Sequence, residues 1–99
     1  MAAQRREDPN KVFIGSLNPD TNKPKVMQLL SEVSLTAYDV IVPLCAPGKL
    51  AVAFAIFEDP ADCAACIQYL EGATDSKYAP GTIKAHRGDP SQGGLYQLL

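Results

Sequence analysis

Few side chains of this sequence are candidates for metal binding or redox chemistry: three cysteines and a single histidine. Cys63 and Cys66 have the C-x-x-C spacing that zinc sites and redox motifs use. A zinc site needs two further ligands, for which Cys45 and His86 are the candidates. Because both thiols of the motif fall on the apolar stripe of a helical pattern, we expect them to pack in the core.

The sequence also lacks the side chains that an enzyme would need. Its one histidine, His86, has no convincing Ser/His/Asp or Cys/His arrangement around it. A phosphate loop of the G-x-x-x-x-G-K type is missing. Caps and solvated helix surfaces explain the acidic residues. We therefore expect no enzymatic activity, no cofactor, no metal and no small-molecule substrate.

Two short apolar runs, VFIGSL at residues 12–17 and LAVAFAIF at residues 50–57, hold the other candidate residues. Side chains alternate between the two faces of a strand. If the small and branched neighbours of Phe13 and Phe54 face a core, these rings lie together on the opposite face. Bases of single-stranded RNA stack on exposed rings of this kind. The runs thus favour a sheet that binds single-stranded RNA.

Hydrophobic periodicity and chain-breaking residues predict six elements in the order strand, helix, strand, strand, helix, strand. They cover residues 11–16, 23–33, 35–44, 49–57, 60–70 and 82–86. Asn22 and Asp59 are suited to cap the two helices, each with a proline in the first turn. The order predicts an α+β, ferredoxin-like β-α-β-β-α-β fold, in which a four-stranded antiparallel sheet carries two helices on one face.

Alternation also predicts which face the other strand residues occupy. On the second strand, Asp39 and Ile41 should face away from the helices, with Tyr38, Val40 and Val42 in the core. On the last strand, the outward residues should be Thr82, Lys84 and His86. The open face then carries rings and aliphatic side chains, edged by Lys11, Lys84, His86 and Arg87.

Given this order, residues 11–88 resemble the RNA recognition motif (RRM) family. VFIGSL is similar to its six-residue motif, and residues 50–57 are similar to its eight-residue motif. Phe13 and Phe54 match two of the three usual stacking positions, and Val52 stands at the third. The motif's initial basic residue is Leu50 here, one position after Lys49. The segment TDSKYAPGTIKAH is faintly similar to CELF/Bruno-like members.

The resemblance implies an RNA-binding module of an RNA-processing or post-transcriptional regulatory protein. The expected RNA-binding residues are Phe13, Phe54, Val52, Lys11, Lys49, Lys84, His86 and Arg87. With a ring replaced by Val52, we expect modest affinity and a need for a second domain. The alternative is that the apolar face, with Leu50 and Ile56, binds a protein or a second copy of the chain.

The chain has 99 residues, enough for one domain, and a formal net charge of -2 with a pI of about 5.2. An acidic total lowers the expectation of tight, phosphate-driven binding. Neither a secretory signal nor a membrane-length apolar run is evident, so we expect an intracellular protein of the nucleus or the cytoplasm. Residues 1–10 are interpreted as a flexible arm. In residues 89–99, the apolar end either packs across the sheet or frays.

Overall fold

The computed structural model describes residues 10–44 and 46–88. These residues form a four-stranded antiparallel sheet with the strand order β2-β3-β1-β4 and two helices. The elements are β1 (Lys11–Leu17), α1 (Lys23–Glu32), β2 (Asp39–Ile41), β3 (Ala51–Ile56), α2 (Pro60–Leu70) and β4 (Lys84–Arg87). The predicted ferredoxin-like α+β fold is confirmed.

Both helices begin where the sequence predicts. The Asn22 side chain accepts a hydrogen bond from the Lys25 amide at 3.0 Å, and Asp59 accepts one from the Ala61 amide at 2.9 Å. Each cap satisfies an amide that has no partner within its helix. A proline in the first turn sets the helical φ without removing a needed donor.

The helices and the sheet enclose one hydrophobic core. Alternate residues of the two central strands face it, and buried leucines, one valine and two cysteines of the helices fill the other side. Cys63 and Cys66 have no accessible surface. Burial, with a smaller effect of Cys63, raises the pKa of the Cys66 thiol to about 12, so the thiolate needed for metal binding is strongly disfavoured. The prediction that these cysteines pack in the core is confirmed.

The second strand is the main difference from the prediction. It spans only Asp39–Ile41 instead of residues 35–44, because its first part closes the preceding helix. Ser34 adopts a positive φ of 63°, and the Leu35 amide donates to the Leu30 carbonyl at 2.9 Å. The placement of Tyr38 in the core was wrong, since 72% of it is exposed.

A β-bulge interrupts β1 between Ile14 and Leu17. Ser16 has a φ of 64°, and the register with β3 shifts at this point. Two residues, Gly15 and Ser16, therefore stand opposite Val52 alone. The bulge separates the regular part of the sheet, which holds Phe13, from the end of β1 at Leu17.

Candidate nucleic-acid interface

Three rings lie in a row across the outer face of the sheet, the face away from the helices. Phe13 on β1 is paired in register with Phe54 on β3 and with His86 on β4. The Phe13 and Phe54 rings meet edge to face, with centroids 5.7 Å apart and planes at 68°. The Phe13 and His86 rings are stacked, with centroids 4.7 Å apart and planes at 17°. Both geometries are favourable for aromatic pairs.

The orientation of Phe13 depends on the glycine two residues along the same strand. A Cβ atom on Gly15 would lie 2.7 Å from Phe13 Cε1 and 2.8 Å from Cζ. The edge of the ring therefore lies over the backbone of Gly15, in space that any other residue would occupy. This position brings Phe13 within stacking distance of His86.

Phe54 differs from the expectation of an exposed stacking ring. Its neighbours Ala53 and Ala55 belong to the core, and Phe54 does not, which places its ring on the outer face. Its accessible surface is nevertheless 0%. Among its neighbours are the Phe13 ring, which it meets in a T-shaped arrangement, and the Lys11 ammonium, which is 5.4 Å from the Phe54 ring centroid. Strand alternation predicts the face of a side chain but not how its neighbours fold over it.

Aliphatic side chains extend the outer face around these rings. Val52, Ile56 and Ile41 are partly exposed, and Leu50, just before β3, is 47% exposed. Val52 occupies the place where the resemblance expects a third ring. The outward side chains of β3 are apolar, and Lys11 and Lys84 lie on β1 and β4. On β2, Asp39 is paired with Ile56 and so lies on the same face, where its carboxylate is 2.9 Å from Lys23 Nζ.

The lysines predicted for the site lie in different surroundings. Lys11 is paired with Ile56, and Lys84 is paired with Gly15. Because both partners lie on the outer face, both lysines project from it. Lys84 is exposed, and among residues 10–44 and 46–88 its ammonium has no ion-pair or hydrogen-bond partner. Lys49 is exposed in the turn before β3, outside the sheet proper.

The predicted position of Arg87 at the edge of the outer face was wrong. Its register partner on β1 is Val12, a core residue, so Arg87 belongs to the helix side of the sheet. The alternation that places Lys84 and His86 outward, continued by one residue, would have predicted this.

His86 is the most exposed ring of the row. Its Nδ1 lies 2.9 Å from the Arg87 carbonyl oxygen. The sequence predicts its outward position, but the stack on Phe13 was missed. That stack follows from the register between β1 and β4, which the sequence does not specify.

A separate cluster of hydrogen bonds lies on the helix side of the sheet. The Tyr78 hydroxyl donates to Glu32 Oε2 at 2.6 Å, and Lys77 Nζ lies 3.1 Å from the same oxygen. These two bonds hold the pKa of Glu32 below its ordinary value of 4.5. Burial and the bond to Glu32 raise the pKa of Tyr78 to about 12. The cluster joins the end of α1 to the segment before β4 and lies away from the rings.

Other kinds of site have little support in the described part of the chain. Residues 10–44 and 46–88 contain no group of three His, Cys, Asp or Glu side chains placed to hold a metal ion. None of the described helices is long and apolar enough to cross a membrane. The outer face of the sheet is thus the surface that combines rings with unpaired cationic charge.

Comparison with known proteins identifies the fold. No model of a known protein family matches the sequence, and no curated protein sequence matches it. The RRM3 domain of Mip6 superposes with a TM-score of 0.70 at 15% identity, over 82% of this chain and 94% of that one. The RRM of Rna15 with bound RNA (GU) superposes with a TM-score of 0.65 at 20% identity, over 86% and 92% of the two chains.

A third structure holds the N-terminal three RNA binding domains of the yeast splicing factor Prp24. It superposes with a TM-score of 0.69 at 15% identity, over 86% of this chain and 35% of that one. At these identities the likeness establishes the fold, which is that of RNA recognition motif domains. The fainter resemblance to CELF/Bruno-like members receives no support.

Proposed function

We propose that this chain is a single-stranded RNA-binding module that stacks bases on the outer face of its sheet. The observation that carries the proposal is the stacked Phe13–His86 pair, with the outward lysines Lys11 and Lys84 on the same face. Rings bind the flat surfaces of bases and lysines attract phosphates, so the face offers both parts of a single-stranded nucleic-acid site. A solved neighbour of the same fold, the Rna15 RRM, holds RNA.

Single strands suit this surface better than a duplex, because stacking on a protein ring requires bases that are splayed apart. We infer modest affinity. Phe54 presents no accessible ring, Val52 replaces an aromatic side chain, and the net charge is -2. Binding to both this face and a second RNA-binding domain would raise the overall affinity.

The first experiment is an NMR titration of the isotope-labelled chain with pools of short single-stranded RNA at low salt. We expect shift changes clustered on Phe13, Val52, Lys84 and His86. Changes confined to the helix face, or none with any pool, would contradict the proposal.

A pair of aromatic truncations then separates stacking from general effects. Phe13→Ala removes the ring on which His86 stacks and should weaken RNA binding by about 1–3 kcal/mol, the usual contribution of a base-stacking ring. Tyr69→Ala is the matched control, since Tyr69 is a 57% exposed ring on α2, in the helical layer. Equal effects of the two substitutions would show that the outer face is not the site.

A second candidate function is protein binding through the same face. The exposed and partly exposed aliphatic side chains of Leu50, Val52 and Ile56 favour it, because contiguous apolar surface often marks an interface. The partner would be a helix or a second copy of the chain. Light scattering across a concentration series tests self-association, and a constant monomer mass would leave a different protein as the partner.

We infer that the parent role is RNA processing or post-transcriptional regulation inside the cell, in the nucleus or the cytoplasm, without catalysis by this domain. The support is the fold itself and the solved neighbours, which include a splicing factor. Cross-linking RNA to the chain in living cells, followed by sequencing, tests this role. Recovery of no RNA above that of a Phe13→Ala variant would contradict it.

A further inference from the structure

The stack on Phe13 leaves His86 as the ring that a ligand meets first. The centroids of the two rings are 4.7 Å apart, near the lower end of the ~4.5–7 Å typical of aromatic pairs in contact. A base therefore does not fit between them. A nucleotide that approaches this part of the face encounters the outer surface of the imidazole, which is exposed.

The hydrogen bond at Nδ1 fixes the chemical character of the opposite nitrogen. Nδ1 lies 2.9 Å from the Arg87 carbonyl oxygen, which can only accept a hydrogen bond. Nδ1 must therefore be the protonated nitrogen. In the neutral imidazole, Nε2 then carries a lone pair and acts as an acceptor. No described residue donates a hydrogen bond to Nε2.

The surroundings of this acceptor are cationic. Lys84 projects from the same face of the same strand, two residues before His86, and its ammonium is without a partner among the described residues. A ligand that suits both groups carries a negative charge and, beside it, a hydrogen-bond donor. A nucleotide has this combination: a phosphate, together with a ribose 2′-hydroxyl or a base N–H group.

We propose that His86 selects the nucleotide bound on this face, its ring extending the Phe13 stack and its Nε2 accepting a hydrogen bond from a ribose 2′-hydroxyl or a base N–H. The inference rests on the proposed RNA-binding function and adds a determinant of selectivity to it. Lys84 contributes affinity for any phosphate, whereas the acceptor at Nε2 distinguishes among nucleotides.

The test compares the parent chain with His86→Phe, which keeps a flat ring and removes the acceptor. The probes are fluorescent octamers of uridine, adenosine and cytidine, each in ribose and deoxyribose form, with affinities measured by anisotropy. Loss of one neutral hydrogen bond should change selectivity by roughly two- to tenfold. A ribose-over-deoxyribose preference that collapses in the variant assigns the 2′-hydroxyl, and a collapsed preference among bases assigns the N–H group.

The outcomes separate this inference from the proposed function. If the parent chain binds none of the octamers, RNA binding itself fails. If the parent binds, Phe13→Ala weakens binding, and His86→Phe keeps every preference of the parent, only the role of Nε2 is overturned. An independent readout is the ¹⁵N shifts of the His86 ring in the free chain. Protonation at Nε2 in place of Nδ1 would also overturn the assignment.

Discussion

At the scale of single residues, the shape of the candidate interface depends on an atom that is absent. Gly15 has no Cβ, and the edge of the Phe13 ring occupies the space that this atom would need, 2.7 Å from Cε1. The backbone of Gly15 does not require glycine, because the positive-φ glycines among the described residues are Gly48 and Gly72. The glycine therefore serves the position of the ring.

We expect Gly15→Ala to weaken RNA binding several-fold while the fold is retained. The new methyl group displaces the Phe13 ring, which can rotate away, and the stack on His86 opens. RNA affinity and the nuclear Overhauser contacts between the two rings are the measurements. Gly81→Ala is the control, since a Cβ there meets nothing within 4 Å. Intact ring contacts in the Gly15 variant would refute this account.

Phe54 is expected to contribute mainly to stability. Because it has no accessible surface, Phe54→Ala should lower the free energy of unfolding by ~3–5 kcal/mol, as for other buried aromatic side chains. Urea denaturation measures this, with Phe57→Ala in the core as the reference. A loss well below 1 kcal/mol, as expected for an exposed ring, would show that the side chain is open to a ligand.

At this scale, the sequence predicted the face of the sheet on which a side chain lies better than the side chains that it contacts. The alternation of small and large side chains along β1 and β3 correctly placed Phe13 and Phe54 on the outer face. It could not predict that Phe54 is buried, since burial depends on the conformations of neighbouring side chains, Lys11 and Phe13 among them. It also gave no indication that His86 would stack on Phe13, because the sequence does not fix which residues of β1 and β4 are paired.

At the scale of elements, the helices were predicted more accurately than the second strand. The caps Asn22 and Asp59, with their prolines, determine where the helices begin, and these signals are local. The apolar segment 35–44 satisfies strand propensity, but its outcome depends on how α1 ends and on the partner strand β3. Tertiary context therefore set its length, and only Asp39–Ile41 entered the sheet.

The hydrogen bonds of Glu32 to Tyr78 and Lys77, which join α1 to the segment before β4, should make stability depend on pH. The pKa of Glu32 is lowered by its bonds to Tyr78 and Lys77, so its contribution is full above the ordinary value of 4.5 and is lost as pH falls through the folded value. Glu32→Gln should therefore be less stable than the parent at pH 7, with a difference that shrinks below pH 4.5. Urea denaturation at several pH values measures it.

Glu58→Gln provides the comparison, because Glu58 is an exposed carboxylate without an ion pair or hydrogen bond among the described residues. The stability of Glu58→Gln should be close to that of the parent at every pH. If the difference in stability between Glu32→Gln and the parent stays constant from pH 7 to below pH 4.5, the charge of the Glu32 carboxylate does not stabilise this cluster.

At the scale of the whole molecule, the negative total charge and the cationic face have to be considered together. The net charge is -2, yet Lys11 and Lys84 lie on the outer face beside the rings. Few phosphates can be neutralised there, so RNA affinity should fall only gently with added salt. The local arrangement, rather than the total, then determines binding.

Replacing Lys84 with alanine should reduce the slope of log affinity against log salt by roughly 0.7, the value for one phosphate contact on a single strand. Lys25→Ala removes the same charge from the helix side, where Lys25 is paired with Asp20 at 2.9 Å, and should leave the slope unchanged. Equal slopes for the two variants would mean that only total charge matters.

The sequence left two alternatives for the apolar end of the chain, Leu95 to Leu99, and that segment lies outside the described residues. A chain end that covers the sheet competes with RNA for the outer face. Truncation after Gly88 should then raise RNA affinity, whereas a frayed end predicts no change. Affinity for one RNA octamer, measured for both lengths of chain, decides between these alternatives.

The strand order also has a consequence for behaviour at high concentration. The two outermost strands, β2 and β4, have three and four residues, and the longer strands β1 and β3 lie between them. An exposed strand edge is a template on which another chain can add its own backbone, and short edges offer few of the hydrogen bonds that this requires. The short outer strands therefore protect the folded chain against edge-to-edge aggregation.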